Sequence, residues 1–199
     1  MTSSSGHTPR IAMLSVEDAK KAAASQGIPE MMAPLSVFRI LLKNPALARE
    51  IGNTLNMLLF KDNQLDGRLR ELIIMRLGWA TGSNYEWTQH WRVATQMNIP
   101  AEVLLAVRDW KNSKILTDAA KAVLRATDET LQTGSISGAC WAECKKHIPN
   151  EAALLEMVAA IGNWRMISQF LLSVQVPLEE GVASWPPDGV KPANAPADY

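Results

Sequence analysis

Apolar residues recur every three or four positions over most of this chain, a period that predicts one helix after another. Ile51, Leu55 and Leu58 fall at helical spacing in ALAREIGNTLNMLLF, and Leu69, Leu72, Ile73, Met75 and Leu77 give RLRELIIMRLGWATG (68–82) a broad apolar face. Punctuating residues frame the segments. Ser15 is placed to cap VEDAKKAAASQ, which Gly27 and Pro29 stop. SVFRILLKN (36–44) ends at Pro45, KDNQLDG is a polar break, and Asp66 caps the helix beginning at 68. A helix over roughly 84–97 follows, and Pro100 opens AEVLLAVRDW. Thr117 caps DAAKAVLRATDETLQTG with Gly134 as its stop, Ser137 starts a helix reaching His147, and Pro149 precedes a long one over 151–174. No alternating β-branched run and no Asn-Gly turn marks a strand. The expectation is an all-α, single-domain protein of eight or nine helices. Residues 1–10 read as a mobile tail, 11–183 as the domain, and the Pro-rich 184–199 as an arm, either disordered or laid over a neighbour.

Charge narrows the partners. Twenty Lys plus Arg balance twenty Asp plus Glu, so no basic excess points to nucleic acid or an anionic membrane surface. Zero net charge gives little electrostatic resistance to self-association, which suits an oligomer. AALLEMVAAIGNWRMISQFLLSV is long enough to raise a membrane span, but Glu156, Asn163, Arg165 and Gln169 interrupt it, and a buried helix accounts for it better. Two cysteines are too few for a disulfide scaffold, and MTSSSGHTPR has no apolar signal region, so a cytoplasmic protein is expected.

Candidate chemistry concentrates in GSNYEWTQHW (82–91). Ser83 and Glu86 spell a capping box, in which the serine caps a first-turn amide and the glutamate reaches back to the serine amide. Glu86 and His90 are also one helical turn apart, so the carboxylate is placed to orient or charge an imidazole suited to general acid or base work. The sequence leaves both readings open. Tyr85, Trp87 and Trp91 offer apolar pocket walls, and Glu71 on the preceding helix can fold back across Gly82 onto the same site. Its bland alternative is a surface ion pair with Arg68 or Arg70. Arg76 and Arg165 are candidate anion holders, and Asn163 and Trp164 interrupt the last apolar helix as pocket, interface or packing residues.

RLRELIIMRLGWATGSNYEWTQHWRVATQMNIP resembles the core motif of the carboxymuconolactone decarboxylase family within the AhpD-like superfamily. SVFRILLKNPALAREI before it and DAAKAVLRATDETL and MVAAIGNWRMISQFLLSVQVPLEE after it extend the likeness over about residues 30–182. In the family's peroxidase branch a glutamate precedes Cys-x-x-Cys and a histidine. That register falls on Glu71, Ser83, Glu86 and His90 here. The resemblance implies an AhpD-like helical bundle and a homo-oligomer, trimer or hexamer. With serine and glutamate at the thiol positions, it implies proton chemistry rather than peroxide reduction.

The implied activity is that of a cofactor-free, decarboxylase-like carbon–carbon lyase of aromatic-compound catabolism, acting on a small carboxylated lactone or an unsaturated or keto acid. His90, Glu86 and Glu71 would be catalytic, with Ser83, Tyr85, Trp87, Arg76 and Asn163 binding substrate. Hydrolysis or isomerisation of a related ring, or a non-catalytic ligand-binding role, are the alternatives. Cys140, Cys144 and His147 share a helical face but lack the usual zinc spacing, so packing explains them better and no metal is expected.

Overall fold

The computed structural model describes residues 8–61 and 63–197. Among them are nine α-helices and no strand: α1 Val16–Ser25, α2 Ser36–Leu41, α3 Pro45–Phe60, α4 Gly67–Thr81, α5 Asn84–Gln96, α6 Ala101–Ala106, α7 Asp118–Thr133, α8 Gly138–His147 and α9 Glu151–Val174. Short 3-10 turns cover Glu30–Met32 and Val107–Asp109. No helix of the described residues is long and apolar enough to cross a membrane.

The predicted caps form. Ser15, Asp66, Thr117 and Ser137 each accept a first-turn amide with the side chain, and Gly134 ends α7. α2 stops three residues short of the expected end. Asn44 explains this, because its side chain accepts from the Leu47 amide and so serves α3 as a cap instead of extending α2.

Contacts group the chain into two compact units. Of the described residues, the first holds 8–61, 171–182 and 197. Ala19, Ala23, Phe38, Ile40, Leu41 and Ile51 are buried there. The backbones of Leu14 and Arg39 bond at 3.0 Å, and Glu179 accepts the Ser36 amide at the start of α2. Residues 1–7 of the expected tail lie outside the described residues. Arg10 is anchored, with its amide and guanidinium on the Val174 and Ser173 carbonyls.

The second unit spans 63–170 and 183–196 and carries the candidate site. Leu72, Met75, Trp87, Leu104, Val107, Trp110, Leu124 and Trp185 belong to one apolar cluster. Helix α5 returns along α4 so closely that a Cβ on Gly78 would stand 2.9 Å from the Trp87 amide. Gly82 makes the reversal, closing α4 in the left-handed region at φ 75°.

The C-terminal segment is not disordered over its described length. Trp185 is buried, the Pro186 carbonyl accepts from Trp87 Nε1 at 2.7 Å, and Asp188 pairs with Arg108 through two hydrogen bonds of 2.8 and 2.9 Å. Asn194 donates to the Ala80 carbonyl. The segment runs through turns at 186–188 and 193–195, where the Gly189 and Ala195 amides bond the Trp185 and Pro192 carbonyls, and its tryptophan, aspartate and asparagine tie it to its own unit.

Candidate functional site

Glu71 stands in the second turn of α4 with its side chain wholly buried, and the Gly82 reversal brings His90 of α5 to it. Glu71 Oε2 lies 2.8 Å from His90 Nδ1, while Glu71 Oε1 accepts from Arg70 Nε at 3.3 Å. From α9, Trp164 Nε1 donates to His90 Nε2 at 3.1 Å, with the two rings nearly perpendicular. An indole nitrogen can only donate, so Nε2 accepts and the ring proton sits on Nδ1, pointing at Glu71. The result is a line Arg70–Glu71–His90–Trp164 in which the Arg70 guanidinium bonds the Glu71 carboxylate and both ring nitrogens of His90 are held. Glu71 does fold back onto His90 as expected, and the ion pair with Arg70 that was its alternative also forms, buried rather than at the surface.

One turn earlier on α5, Glu86 is buried, and its Oε1 accepts from Ser168 Oγ of α9 at 2.8 Å. Residues 86 and 90 on α5 thus face 168 and 164 on α9, pairs with the same four-residue spacing. Burial drives the Glu86 carboxyl well above its ordinary value of 4.5, against the smaller opposite pull of the Ser168 bond. Glu86 Oε2 and Ser83 Oγ are both buried without a hydrogen-bond partner.

These contacts correct two sequence readings. The capping box does not form: Ser83 makes no side-chain cap bond, and its amide goes to the Gly78 carbonyl at 2.9 Å in the turn closing α4. With that amide taken, Glu86 has nothing to reach back to. Nor does Glu86 orient His90. Glu71 holds Nδ1 and Trp164 holds Nε2, so both ring nitrogens are occupied by other residues.

The remaining candidates divide. Tyr85 is buried in the first turn of α5. Trp87, expected as a pocket wall, is a core residue packed among Trp79, Trp91 and Trp185. Arg76, expected to hold an anion, already holds Asp128 through two bonds and the Val107 and Arg108 carbonyls through a third nitrogen. Arg165 donates to the Thr130 carbonyl. Asn163 is half-buried, with a buried Nδ2 that has no partner. Ser168 was missed, and Trp164 was read chiefly as packing. The available signal was an indole and a serine one turn apart, Trp164 and Ser168, in the last helix.

A separate cleft of about 470 Å³ opens among Arg76, Trp79, Arg108, Asp128, Gln132 and Asn194. None of the His90 line touches it, and both guanidiniums are already paired with aspartates. Cys140 and Cys144 are fully buried near the Ala122 carbonyl, and burial raises both thiols, Cys144 to about 12. His147 contacts Glu143. No group of three or more His, Cys, Asp or Glu among the described residues is arranged to hold a metal ion.

The Carboxymuconolactone decarboxylase family profile matches residues 45–129, from α3 through most of α7. No curated protein sequence matches the chain. Several solved structures share its fold. An uncharacterized peroxidase-related protein from Ralstonia eutropha JMP134, an alkylhydroperoxidase AhpD core, aligns at TM-score 0.76 and 15% identity over 93% of this chain and 98% of its own. A peroxidase-related protein from Silicibacter sp. TM1040 aligns at 0.71 and 14%, over 88% and 91%. The debrominase Bmp8, in complex with 2,3,4-tribromopyrrole, aligns at 0.70 and 18%, over 90% and 94%. At these identities the likeness is one of fold, all-α and AhpD-like.

Proposed function

We propose that the chain is a cofactor-free acid/base enzyme that decarboxylates a small carboxylated lactone or an unsaturated or keto acid, a reading supported by the match of residues 45–129 to the Carboxymuconolactone decarboxylase family. The observation that carries this reading is the His90 imidazole, held between the Glu71 carboxylate and the Trp164 indole in a buried setting. A base fixed in one tautomer, with a carboxylate behind it, suits proton transfer.

In the reaction the bond from carbon to the leaving carboxylate breaks, CO₂ departs, and the electron pair enters the conjugated system as an enolate. His90, having taken a proton from water at Nε2, delivers it to carbon. Substrate displaces the Trp164 indole from Nε2 as it enters. Glu71 stabilises the transient imidazolium, and Arg70 holds Glu71 in place.

Peroxide reduction is disfavoured on chemical grounds. Ser83 and Glu86 store no electrons, and Cys140 and Cys144 are buried thiols with raised pKa on α8. A cytoplasmic setting would keep both reduced. The exposed apolar row Leu155, Val158 and Met166 on α9 supports self-association as a homo-oligomer. Bmp8 holds a small halogenated ring, which keeps planar ring substrates within the class to be tried.

The test is CO₂ release from a panel of carboxylated lactones and unsaturated keto acids by metal-stripped protein, with His90→Gln alongside. A loss of about 10²- to 10⁴-fold in the variant is expected. Turnover that persists within a few-fold in His90→Gln, or peroxide consumption that depends on residues 83–90, contradicts the reading.

A further inference from the structure

We propose that Ser83 Oγ and Glu86 Oε2 form a pair of hydroxyl donors for the oxyanion of a small planar enolate or phenolate. The pair deepens the reading above, since decarboxylation would generate such an oxyanion, but it would also bind a ready-made one.

Three observations converge on this pair. Ser83 is fully buried and Glu86 is 2% exposed, yet one oxygen of each has no hydrogen-bond partner. Buried polar atoms are nearly always paired, so two orphans this close in the chain call for a common occupant. Second, they stand at the N-cap and third positions of α5, a 13-residue helix, a spacing from which both side chains can reach the helix start. Ser83 spends no hydroxyl on capping, and the dipole at that end favours negative charge. Third, among the described residues no cation is bonded to Glu86: the buried Arg70 guanidinium is engaged with Glu71, and Ser168 supplies the side-chain bond to Glu86, onto Oε1. A buried carboxyl in that situation keeps its proton. With Oε1 accepting from Ser168, the proton falls on Oε2, the orphan atom.

A neutral carboxylic acid and a serine hydroxyl then offer two donors to one oxyanion in a dry setting, where such bonds are strongest. The ligand class follows. It is a small ring or conjugated acid whose oxygen gains negative charge, rather than a peroxide or a cation. No covalent bond to Ser83 is formed, because no base is hydrogen-bonded to its hydroxyl among the described residues.

The experiment is binding of para-nitrophenol and ring-substituted phenols of graded acidity to the full chain, read by the absorbance of the bound phenolate. Wild type is expected to bind the phenolate form. Ser83→Ala and Glu86→Leu should each weaken it about 10- to 100-fold, whereas Glu86→Gln, which keeps a donor, should stay within a few-fold. Ser83→Ala removes only one unpartnered hydroxyl, so it decides the matter if Glu86→Leu does not fold.

Tighter phenolate binding by Glu86→Gln would mean that Glu86 is ionised and repels the ligand, and the proposal falls. It falls equally if wild type binds no phenolate, or if Ser83→Ala binds as well as wild type. His90-dependent CO₂ release alongside any of those results would leave the acid/base reading standing. Phenolate binding that depends on Ser83 and Glu86, without CO₂ release, would sink that reading and keep the donor pair.

Discussion

Glu71 Oε2 stands 2.8 Å from His90 Nδ1, and the other oxygen of the same carboxylate takes Arg70 Nε. One buried carboxylate therefore partners a guanidinium and an imidazole at once. Removing it leaves a guanidinium only 7% exposed without its counter-charge. Glu71→Ala should destabilise the protein by about 3–5 kcal/mol, the range for breaking a buried pair. Glu71→Gln, which keeps the shape, should cost less stability but still slow CO₂ release, because an amide no longer favours the imidazolium. Urea unfolding of both variants, set beside their turnover, separates the two effects. Equal stability of Glu71→Ala and wild type would mean that the pair is not buried as described.

Trp164 locks the other face of the ring. Its indole is buried, and its N–H fixes the lone pair of His90 Nε2. Trp164→Phe keeps an aromatic packing surface and deletes that donor. The expected result is a stability loss of about 1–3 kcal/mol from the smaller ring and the lost bond, with the single His90 tautomer giving way to a mixture. Nitrogen-15 NMR of the imidazole reports this directly. An unchanged spectrum in the variant would show that Glu71 alone sets the tautomer.

Helix positions were largely legible in the sequence because capping and period are local. Ser15, Asp66, Thr117 and Ser137 each cap as their spacing implies. The exception at Ser83 is instructive. S-x-x-E satisfies the local rule, but the amide it needs was already claimed by the Gly78 carbonyl, and a serine 82 positions away on α9 offered Glu86 a bond. His90 and Glu71 were legible from helical spacing and the Gly82 reversal, and the family register fell on the same two positions. The roles of Arg70, Trp164 and Ser168 were not legible, because each depends on how α4, α5 and α9 face one another. Nothing in the spacing of GSNYEWTQHW says that Glu86 looks toward Ser168 and His90 toward Trp164. Arg76 was likewise assigned to a ligand on charge alone, whereas Asp128, 52 positions on, is its partner.

Gly82 tests the seating of the C-terminal segment. Its φ of 75° already disfavours a side chain, and a Cβ there would meet the Ala195 Cα at 2.8 Å and the Asn194 carbonyl at 3.0 Å. Both obstacles are backbone, so the segment rather than a flexible side chain has to move. Gly82→Ala should lower stability by about 1 kcal/mol or more from conformation alone. It should also release the end of the chain to protease faster than wild type, with the Asn194 to Ala80 bond lost. Identical cleavage rates at 190–197 would show that the segment is not held against this turn.

Glu86 gives a pH signature whose sign can be worked out in advance. Unfolded, its carboxyl titrates near the ordinary 4.5; folded, burial holds it well above that. Between the two values the folded state keeps a proton that the unfolded state has lost. Stability contributed by the neutral acid is therefore complete below about 4.5 and declines as pH rises toward the folded pKa. The slope is about 1.4 kcal/mol per pH unit for one proton. Glu86→Gln has no proton to lose, so the stability of wild type relative to this variant should fall with rising pH across that window. Denaturant midpoints collected at several pH values for both proteins give the difference curve. A difference that climbs with pH would mean that Glu86 is ionised in the fold and stabilised as an anion, which the single Ser168 bond gives no reason to expect.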